Sequence, residues 1–415
     1  MFRGYLRPAI FPIPTRMPEP QTHPAVSFDN TAVAFASKSS GELRQMHLLF
    51  STMNNKGMVD VGGALMTKAL SWGIPGTKSI IKHSIFKQFC GGETIQECKP
   101  VIAELGKFRI GTILDYSVEG EGNEQSFDHT RDELLKTIEL AAGNPHIPFS
   151  VFKVTGVADS ALLEKVQAGQ PLSAAEQQAY ERAQQRIDEL CRRAHDRNVR
   201  IFVDAEESWF QDTIDDLARE MMRRYNQQRP IVWNTYQLYR HDRLEALQAD
   251  YEHARQENYY LGAKLVRGAY MEKEARVAQQ RGYQNPINPT KQATDDLYDE
   301  ALRFSVDHLD RMAICAGTHN EASSRLLTEL LAEAGLAPGD ERVWFAQLYG
   351  MSDNLSYNLA HAGYNTAKYV PYGPVEAVMP YLLRRANENT AIAGQTSREL
   401  LLIKREIERR KNKAR

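Results

Sequence analysis

The feature that most constrains the fold is a regular alternation of short apolar segments with longer helical segments, beginning near residue 108. Each short segment is rich in residues that favour strands, and helical patterning separates it from the next. Because crossover helices enforce parallel pairing, eight such units predict an α/β fold of the (βα)8-barrel type. An open doubly wound sheet is the alternative, but the sequence has no GxGxxG after any strand and no P-loop. The eight segments are 110–114, 151–154, 199–203, 231–235, 262–266, 312–316, 343–347 and 367–370, with helices predicted at 173–196, 207–226, 241–257, 291–309 and 322–334.

The sequence predicts four regions. Residues 1–40 are expected to be a disordered tail, because six prolines fall before residue 25. A mitochondrial presequence is the alternative, although these prolines would break the amphipathic helix that it needs. Residues 41–106 have helical patterning and predict an N-terminal helical arm. The barrel is expected over 107–395, and residues 396–415 predict a basic C-terminal helix.

Composition excludes several classes of function. Lys plus Arg (51) nearly balances Asp plus Glu (53), so no overall positive field suggests nucleic acid as a partner. The four cysteines form no CxxC pair and no metal-ligand cluster, which suits a reducing compartment. No run of about 18 apolar residues is present to predict a transmembrane helix.

Polar residues recur where the predicted strands end. In a (βα)8 barrel these positions meet at the end of the barrel where active sites are built. A single Lys or Asp at a strand end is more often a solvated loop residue, but their recurrence after nearly every strand favours a site. The residues are Asp115, Glu119, Lys153, Asp204, Gln237, Lys264, Arg267, Thr318, His319, Gln347 and Tyr369.

The helix after the eighth strand carries a second group of candidates. Tyr381, Arg384 and Arg385 share one broad face, and Glu388 follows Arg384 by four residues. Adjacent guanidinium groups suit an anion such as a carboxylate. An exposed helix with an ordinary ion pair is the alternative.

Three further observations bear on the ligand. Apolar and aromatic residues near the predicted site, among them Val266, Tyr270 and Leu348, suggest a flat or apolar ligand. Thr290 and Lys291 begin a predicted helix whose start is able to hold a phosphate, although an ordinary N-cap is the alternative. His319 has helix capping as its alternative role.

Four segments resemble the proline dehydrogenase family: YLGAKLVRGAYMEKE (260–274), GTHNEAS (317–323), QLYGMSDNL (347–355) and KYVPYGPVEAVMPYLLRRANEN (368–389). FKVTG (152–156) and VDAEE (203–207) are in register with them, so the resemblance covers about residues 80–390. It implies a distorted (βα)8 TIM-type barrel that holds FAD non-covalently without a Rossmann domain. The single-function form of the family is the most similar.

The resemblance also implies roles for individual residues. Arg384 and Arg385 would bind the substrate carboxylate with help from Lys153, and Glu119 would pair with Arg384 when the site closes. The pocket for the pyrrolidine ring would be lined by Asp204, Leu348, Tyr369 and Tyr381. The FAD-binding residues would be Gln237, Lys264, Val266, Arg267, Gly268, Tyr270, Thr290, Lys291, Thr318, His319, Gln347 and Glu388. The sequence departs from the family pattern at Lys264, where many members carry arginine, and at Met271, where tryptophan often stacks on the adenine.

The implied reaction is oxidation of L-proline to 1-pyrroline-5-carboxylate by hydride transfer to flavin N5, the first step of proline catabolism to glutamate, with electrons passed to a membrane quinone. A cytoplasmic location is expected, or a mitochondrial one in a eukaryote, with the protein peripheral on the inner membrane as a further option. The basic C-terminal helix could lie on an anionic surface, although a solvated terminal helix is the favoured alternative. Two rivals are a Schiff-base aldolase that uses Lys153 or Lys264 and a non-catalytic scaffold.

Overall fold

The centre of the molecule is a closed barrel of eight parallel strands, seen in a computed structural model that describes residues 26–117, 122–391 and 395–413. Each strand pairs with the next, and the last pairs with the first, so the predicted fold class is confirmed and the open-sheet alternative is wrong. Every predicted strand is present within two residues of its expected ends. The strands are β1 Ile110–Tyr116, β2 Phe149–Lys153, β3 Arg200–Asp204, β4 Val232–Gln237, β5 Leu261–Val266, β6 Met312–Gly317, β7 Val343–Leu348 and β8 Thr366–Tyr372.

The last strand differs from the prediction in one respect. The predicted segment ended at residue 370, but β8 continues through Pro371 to Tyr372. The pairing of β7 with β8 ends at Leu348 and Tyr369. Beyond that point β8 pairs with β1 on one side and meets Gly91 and Gly92 on the other, where the Gly91 N–H donates to the Pro371 carbonyl oxygen at 2.8 Å. The contact with Gly91 uses the carbonyl oxygen of Pro371, so the N–H that proline lacks is not required there.

Helices surround the barrel and form the main core against its outer face. The five predicted helices are confirmed with small shifts of their ends. The helices between strands are α7 Glu124–Ala141, α8 Ser160–Gln167, α9 Ala174–Asp196, α10 Ser208–Tyr225, α11 Arg243–Gln256, α12 Met271–Arg281, α13 Lys291–Asp307, α14 Glu321–Glu333 and α15 Asp353–His361, with a 3-10 turn at Val154–Gly156.

Aromatic side chains fill the amino-terminal half of the barrel interior. Phe149 and Phe202 stack with ring centroids 4.3 Å apart, and Trp233 meets Phe149 edge-on at 5.2 Å. A Cβ at Gly262 would lie 2.5 Å from the Trp233 ring, so only glycine lets β5 pass this side chain. This plug confines any ligand to the carboxyl ends of the strands.

The N-terminal region is helical and packs on the barrel and on the last helices. Val26, Phe28 and Phe35 are buried, so the prediction of a disordered tail is wrong for residues 26–40, and residues 1–25 lie outside the described part of the chain. Apolar burial on neighbouring helices holds this segment in place. Its helices are α1 Thr31–Ala34, α2 Ser40–Met53, α3 Lys56–Ser71, α4 Thr77–Ile81, α5 Lys87–Phe89 and α6 Ile95–Lys107, with a π-helical turn at Lys82–Phe86.

Two helices complete the chain, α16 Val375–Ala391 and α17 Gln395–Lys413. The apolar side of α17 is covered, because Leu402 and Ile403 are fully buried in the cluster that holds the N-terminal helices. Arg410 donates to the carbonyl oxygens of Lys38 and Phe35 at 2.7 and 2.9 Å. The structure does not support membrane contact through α17, since Leu402 and Ile403 are already used in packing.

Candidate functional site

A buried polar cluster lies at the carboxyl end of the barrel interior. Lys264 Nζ donates to Asp204 Oδ1 and to Tyr369 Oη, the latter at 2.6 Å, and Tyr369 Oη donates to Asp204 at 3.1 Å. Lys264 is only 4% exposed and lies 4.7 Å from the centroid of the Tyr369 ring. Three strands, β3, β5 and β8, thus bring together three side chains that the sequence predicted for one site.

Helix α16 brings its two arginines close to this end of the barrel. Burial raises the pKa of the Tyr270 hydroxyl, and the positive charges of Lys153 and Arg384 oppose that rise, so both cations lie near this ring. Arg385 is buried, and its Cζ lies 5.3 Å from the centroid of the Tyr381 ring. The two guanidinium groups and Lys153 bring positive charge to this end of the barrel, which suits an anionic ligand.

Leu348 joins the barrel interior to α16. It packs against the interior cluster that contains Tyr369 and Phe202, and also against the cluster that contains Tyr381. Leu348 therefore links Tyr369 to Tyr381 beside the polar cluster, so three of the four predicted pocket residues belong to connected apolar packing.

His319 follows β6 and is held by the loop after β7. Its Nδ1 donates to Ser352 Oγ at 2.8 Å, and the Leu348 N–H approaches its Nε2 at 3.5 Å. Burial, followed by the charges of Lys368, Arg385 and Arg267, lowers the pKa of His319 to about 3, so the ring is neutral near pH 7. It does not cap α14, because the Asn320 side chain accepts from the N–H groups of Ala322 and Ser323.

Arg267 is fixed by contacts on three sides. It donates to Asp295 Oδ1 and Thr318 Oγ1 at 2.7 Å and to Ser323 Oγ at 2.9 Å. Lys291 pairs with the other oxygen of Asp295. Two cations therefore share one carboxylate at the start of α13, and this leaves a positive charge beside Thr318.

Thr290 has the structural role that the sequence left open. Its Oγ1 accepts from the Ala293 N–H at 3.1 Å, so it is the N-cap of α13. Gln347 is fixed by donating to the Thr318 carbonyl at 3.1 Å and accepting from Ser356 Oγ at 2.7 Å.

Gln237 has a buried side-chain oxygen that lacks a hydrogen-bond donor in the described part of the chain, which indicates where a ligand could bind. Its side chain is 2% exposed, and its Oε1 has no hydrogen-bond partner among the described residues. A buried acceptor of this kind costs free energy unless a donor satisfies it. Gly268, two residues after β5, has a φ of 122°. A Cβ at this position would lie 2.6 Å from the Tyr239 ring, so the position requires glycine and no side chain covers the backbone there. Gln237 pairs in register with Val266, so both predicted residues lie at this edge.

The structure does not test the roles predicted for two residues. Glu119 lies outside the described residues, and Glu388 lies on α16 but its side chain is outside them. Their predicted roles stay predictions.

Sequence reasoning missed a buried charged network behind the loop after β7. Lys368 is completely buried, pairs with Asp353 at 2.9 Å and donates to the Leu348 carbonyl at 3.3 Å. Glu399 of α17 accepts from the Ser352 N–H, and burial raises the pKa of its carboxyl to about 7. A lysine inside a strand buried on both faces was the available signal, because such a charge must be paired.

Glu206 is a second buried carboxyl, in the VDAEE segment. It accepts from the Thr155 N–H at 3.0 Å and from the Thr155 hydroxyl. Burial raises its pKa to about 7, and these hydrogen bonds and Lys153 oppose that rise. The fold and these residues define a (βα)8-barrel protein with a candidate anion-binding site at the carboxyl ends of its strands, the end where enzymes of this fold have their active sites.

Comparison with known proteins identifies the family. The family model for proline dehydrogenase matches residues 98–398. The chain is 34% identical over 426 residues to the mitochondrial proline dehydrogenase 1 of Dictyostelium discoideum, covering 92% of this chain and 74% of that protein. The mitochondrial proline dehydrogenase 1 of Arabidopsis thaliana is 30% identical, covering 96% and 89%. The chain belongs to the proline dehydrogenase family, and it is an enzyme of proline oxidation.

A solved structure supports the fold. Proline utilization A (PutA) from Bdellovibrio bacteriovorus, inactivated by N-propargylglycine, aligns with a TM-score of 0.67 at 20% identity. The alignment covers 88% of this chain and 36% of that one, so the chain spans about a third of the length of the PutA protein.

Proposed function

We propose that the chain oxidises L-proline to 1-pyrroline-5-carboxylate with non-covalently bound FAD and passes the electrons to a membrane quinone. Bound flavin would supply the acceptor for the hydride that leaves C5 of proline. The loss of this hydride and of the proton on nitrogen leaves the C5–N double bond of the product.

The observation that carries the cofactor assignment is the buried, unpartnered Oε1 of Gln237. The N–H groups at the edge of a flavin ring are donors that satisfy such an acceptor. Lys264, Val266 and Gly268 on the adjoining β5 would line the same ring, and Arg267 and Lys291 would lie toward the phosphates. These residues fit a flat, anionic cofactor.

The substrate-binding roles follow from charge and shape. Arg384 and Arg385 would bind the carboxylate of proline, assisted by Lys153, because paired guanidinium groups suit an anion between them. Tyr369 and Leu348 would pack on the pyrrolidine ring. The contacts of Tyr369 with Lys264 and Asp204 would fix its ring orientation, since the side chain has little freedom once its hydroxyl is held.

The aldolase alternative is not favoured, because the family match assigns a different reaction. The visible spectrum of the purified protein tests the proposal directly. We expect a yellow protein that releases FAD on denaturation and whose flavin absorbance is bleached by L-proline without oxygen. A colourless protein that stays inactive after reconstitution with FAD would contradict the assignment.

A further inference from the structure

Helix α17 is tied by two adjacent charged residues to two loops at the carboxyl end of the barrel. Arg398 Nε donates to Glu321 Oε1 at 2.9 Å, and Glu321 begins α14 two residues after His319. Glu399 accepts from the N–H of Ser352, in the loop after β7. One turn of α17 therefore reaches the loop after β6 and the loop after β7.

The two loops also contact each other. Asn354, which is buried, donates from its Nδ2 to the same Glu321 oxygen at 2.9 Å. His319 Nδ1 donates to Ser352 Oγ at 2.8 Å. The loops are therefore joined at two points, and α17 holds a residue on each side of the junction.

Ser352 has a backbone conformation that side chains other than glycine rarely adopt. Its φ is 50° and its ψ is 44°, in the left-handed region. Such a conformation persists where the surrounding contacts hold it. Here the N–H donates to the buried Glu399 carboxylate, and the carbonyl oxygen accepts from the Leu355 N–H at 3.0 Å. Removing the carboxylate would leave this buried N–H without its acceptor.

A buried cation holds the same loop from the barrel. Lys368 of β8 donates to the Met351 carbonyl oxygen and pairs with Asp353 at 2.9 Å. Ser352 lies between Met351 and Asp353 in the chain, so the loop is held on both sides of it. Lys368 binds these two neighbours of Ser352, whereas the Ser352 N–H itself is bound by Glu399.

We infer that Glu399 is a positioning residue for the cofactor site: by fixing the Ser352 backbone, it holds the Ser352 hydroxyl where it orients the His319 ring. This rests on the proposed function and on the predicted contact of His319 with FAD. The effect is one of preorganisation, because apparent affinity falls with the fraction of molecules in which the site is arranged to bind. Attachment of α17 to the barrel is the alternative role of the same carboxylate.

The test uses the full-length holoprotein and two substitutions of Glu399. Glu399→Ala removes the acceptor for the Ser352 N–H, whereas Glu399→Gln keeps one. Glu406→Ala is the matched control, because Glu406 is a second buried carboxylate of α17 and pairs instead with arginines of its own helix. Ser352→Ala removes the hydroxyl that binds His319 and keeps the N–H.

Two measurements are independent of turnover. Hydrogen exchange over residues 347–355 reports how firmly the loop is held, and the flavin fluorescence released on dilution of the holoprotein gives the Kd for FAD. We expect Glu399→Ala to speed this exchange and to raise the Kd by about tenfold. Glu399→Gln should match the wild type, and Glu406→Ala should lower the overall stability without raising the Kd.

A double-mutant cycle tests the route through His319. In a His319→Ala background, we expect Glu399→Ala to change the Kd by less than about twofold. Ser352→Ala alone should weaken FAD binding as Glu399→Ala does, and it carries the test if Glu399→Ala does not fold.

A tenfold effect of Glu399→Ala that persists without the His319 ring would overturn the inference. So would equal weakening by Glu406→Ala, because the carboxylate would then act only by attaching α17, and so would an unchanged Kd in Ser352→Ala. A wild type that binds no FAD refutes the proposed function, whereas hydrogen exchange in Glu399→Ala still decides whether this carboxylate holds the loop.

Discussion

Replacing Glu399 with glutamine should change how the stability of the protein depends on pH. Glu399 is 5% exposed and reaches from α17 to the Ser352 N–H, in the loop that also holds His319. Burial, together with the negative charge of Asp353, raises the pKa of its carboxyl to about 7. Glutamine keeps an oxygen that accepts the Ser352 hydrogen bond but does not ionise.

The sign follows from the direction of the shift. A carboxyl whose pKa is raised in the folded state binds more protons there than in the unfolded chain between about pH 4.5 and 7. Its stabilising contribution is complete below the unfolded pKa and is lost as pH rises through the folded one. For a pKa that moves from an ordinary 4.5 to about 7, we expect the free energy of unfolding to fall by about 2–3 kcal/mol between pH 5 and 8 from this group alone.

Urea unfolding at pH 5 and pH 8 measures the effect as the difference between the wild type and Glu399→Gln. The difference is needed because His319, with its pKa lowered to about 3, contributes with the opposite sign between about pH 3 and 6.5. Glu206→Gln is the matched control, since Glu206 has a pKa raised to about 7 in a separate location and should give a similar difference. A wild-type minus Glu399→Gln difference that stays constant with pH would refute the reasoning.

Three other predictions concern the proposed site. Arg384→Met and Arg385→Met should each raise the KM for proline by about ten- to a hundredfold with flavin retained, because a hydrogen bond to a charged group is worth about 1.5–3 kcal/mol. Steady-state kinetics and the flavin spectrum check this, and loss of flavin with an unchanged KM would contradict it. Tyr369→Ser should lower proline efficiency and narrow the preference over trans-4-hydroxy-L-proline, since the ring leaves no partner for a buried C4 hydroxyl; Tyr369→Phe keeps the ring and should keep the preference. Gln237→Leu should weaken flavin binding without destabilising the flavin-free protein, because it removes a buried, unpartnered oxygen. Denaturation of the flavin-free form measures this, and a lower stability of the variant would contradict the assignment.

The sequence by itself determined the barrel and placed three residues of the candidate site together. The eight apolar segments sit where the strands are, because a strand buried on both faces needs a short, continuous run of strand-forming residues. Asp204, Lys264 and Tyr369 were expected together because they end strands of one parallel barrel, and their side chains are in contact. Local patterning was sufficient here, since each element carries its own signal.

Only the tertiary structure decided which charges pair across the fold and which surfaces remain exposed. The contact between Ser352 and Glu399 joins positions 47 residues apart, and no local pattern records it. The same holds for the N-terminal segment, where Phe28 and Phe35 are ordered by burial on distant helices and not by local propensity. The basic composition of α17 allowed a membrane contact, but packing covers Leu402 and Ile403 of this helix and leaves several apolar residues of α3 and the turn after it exposed. Exposure depends on which helices meet, and helical periodicity alone does not fix that choice.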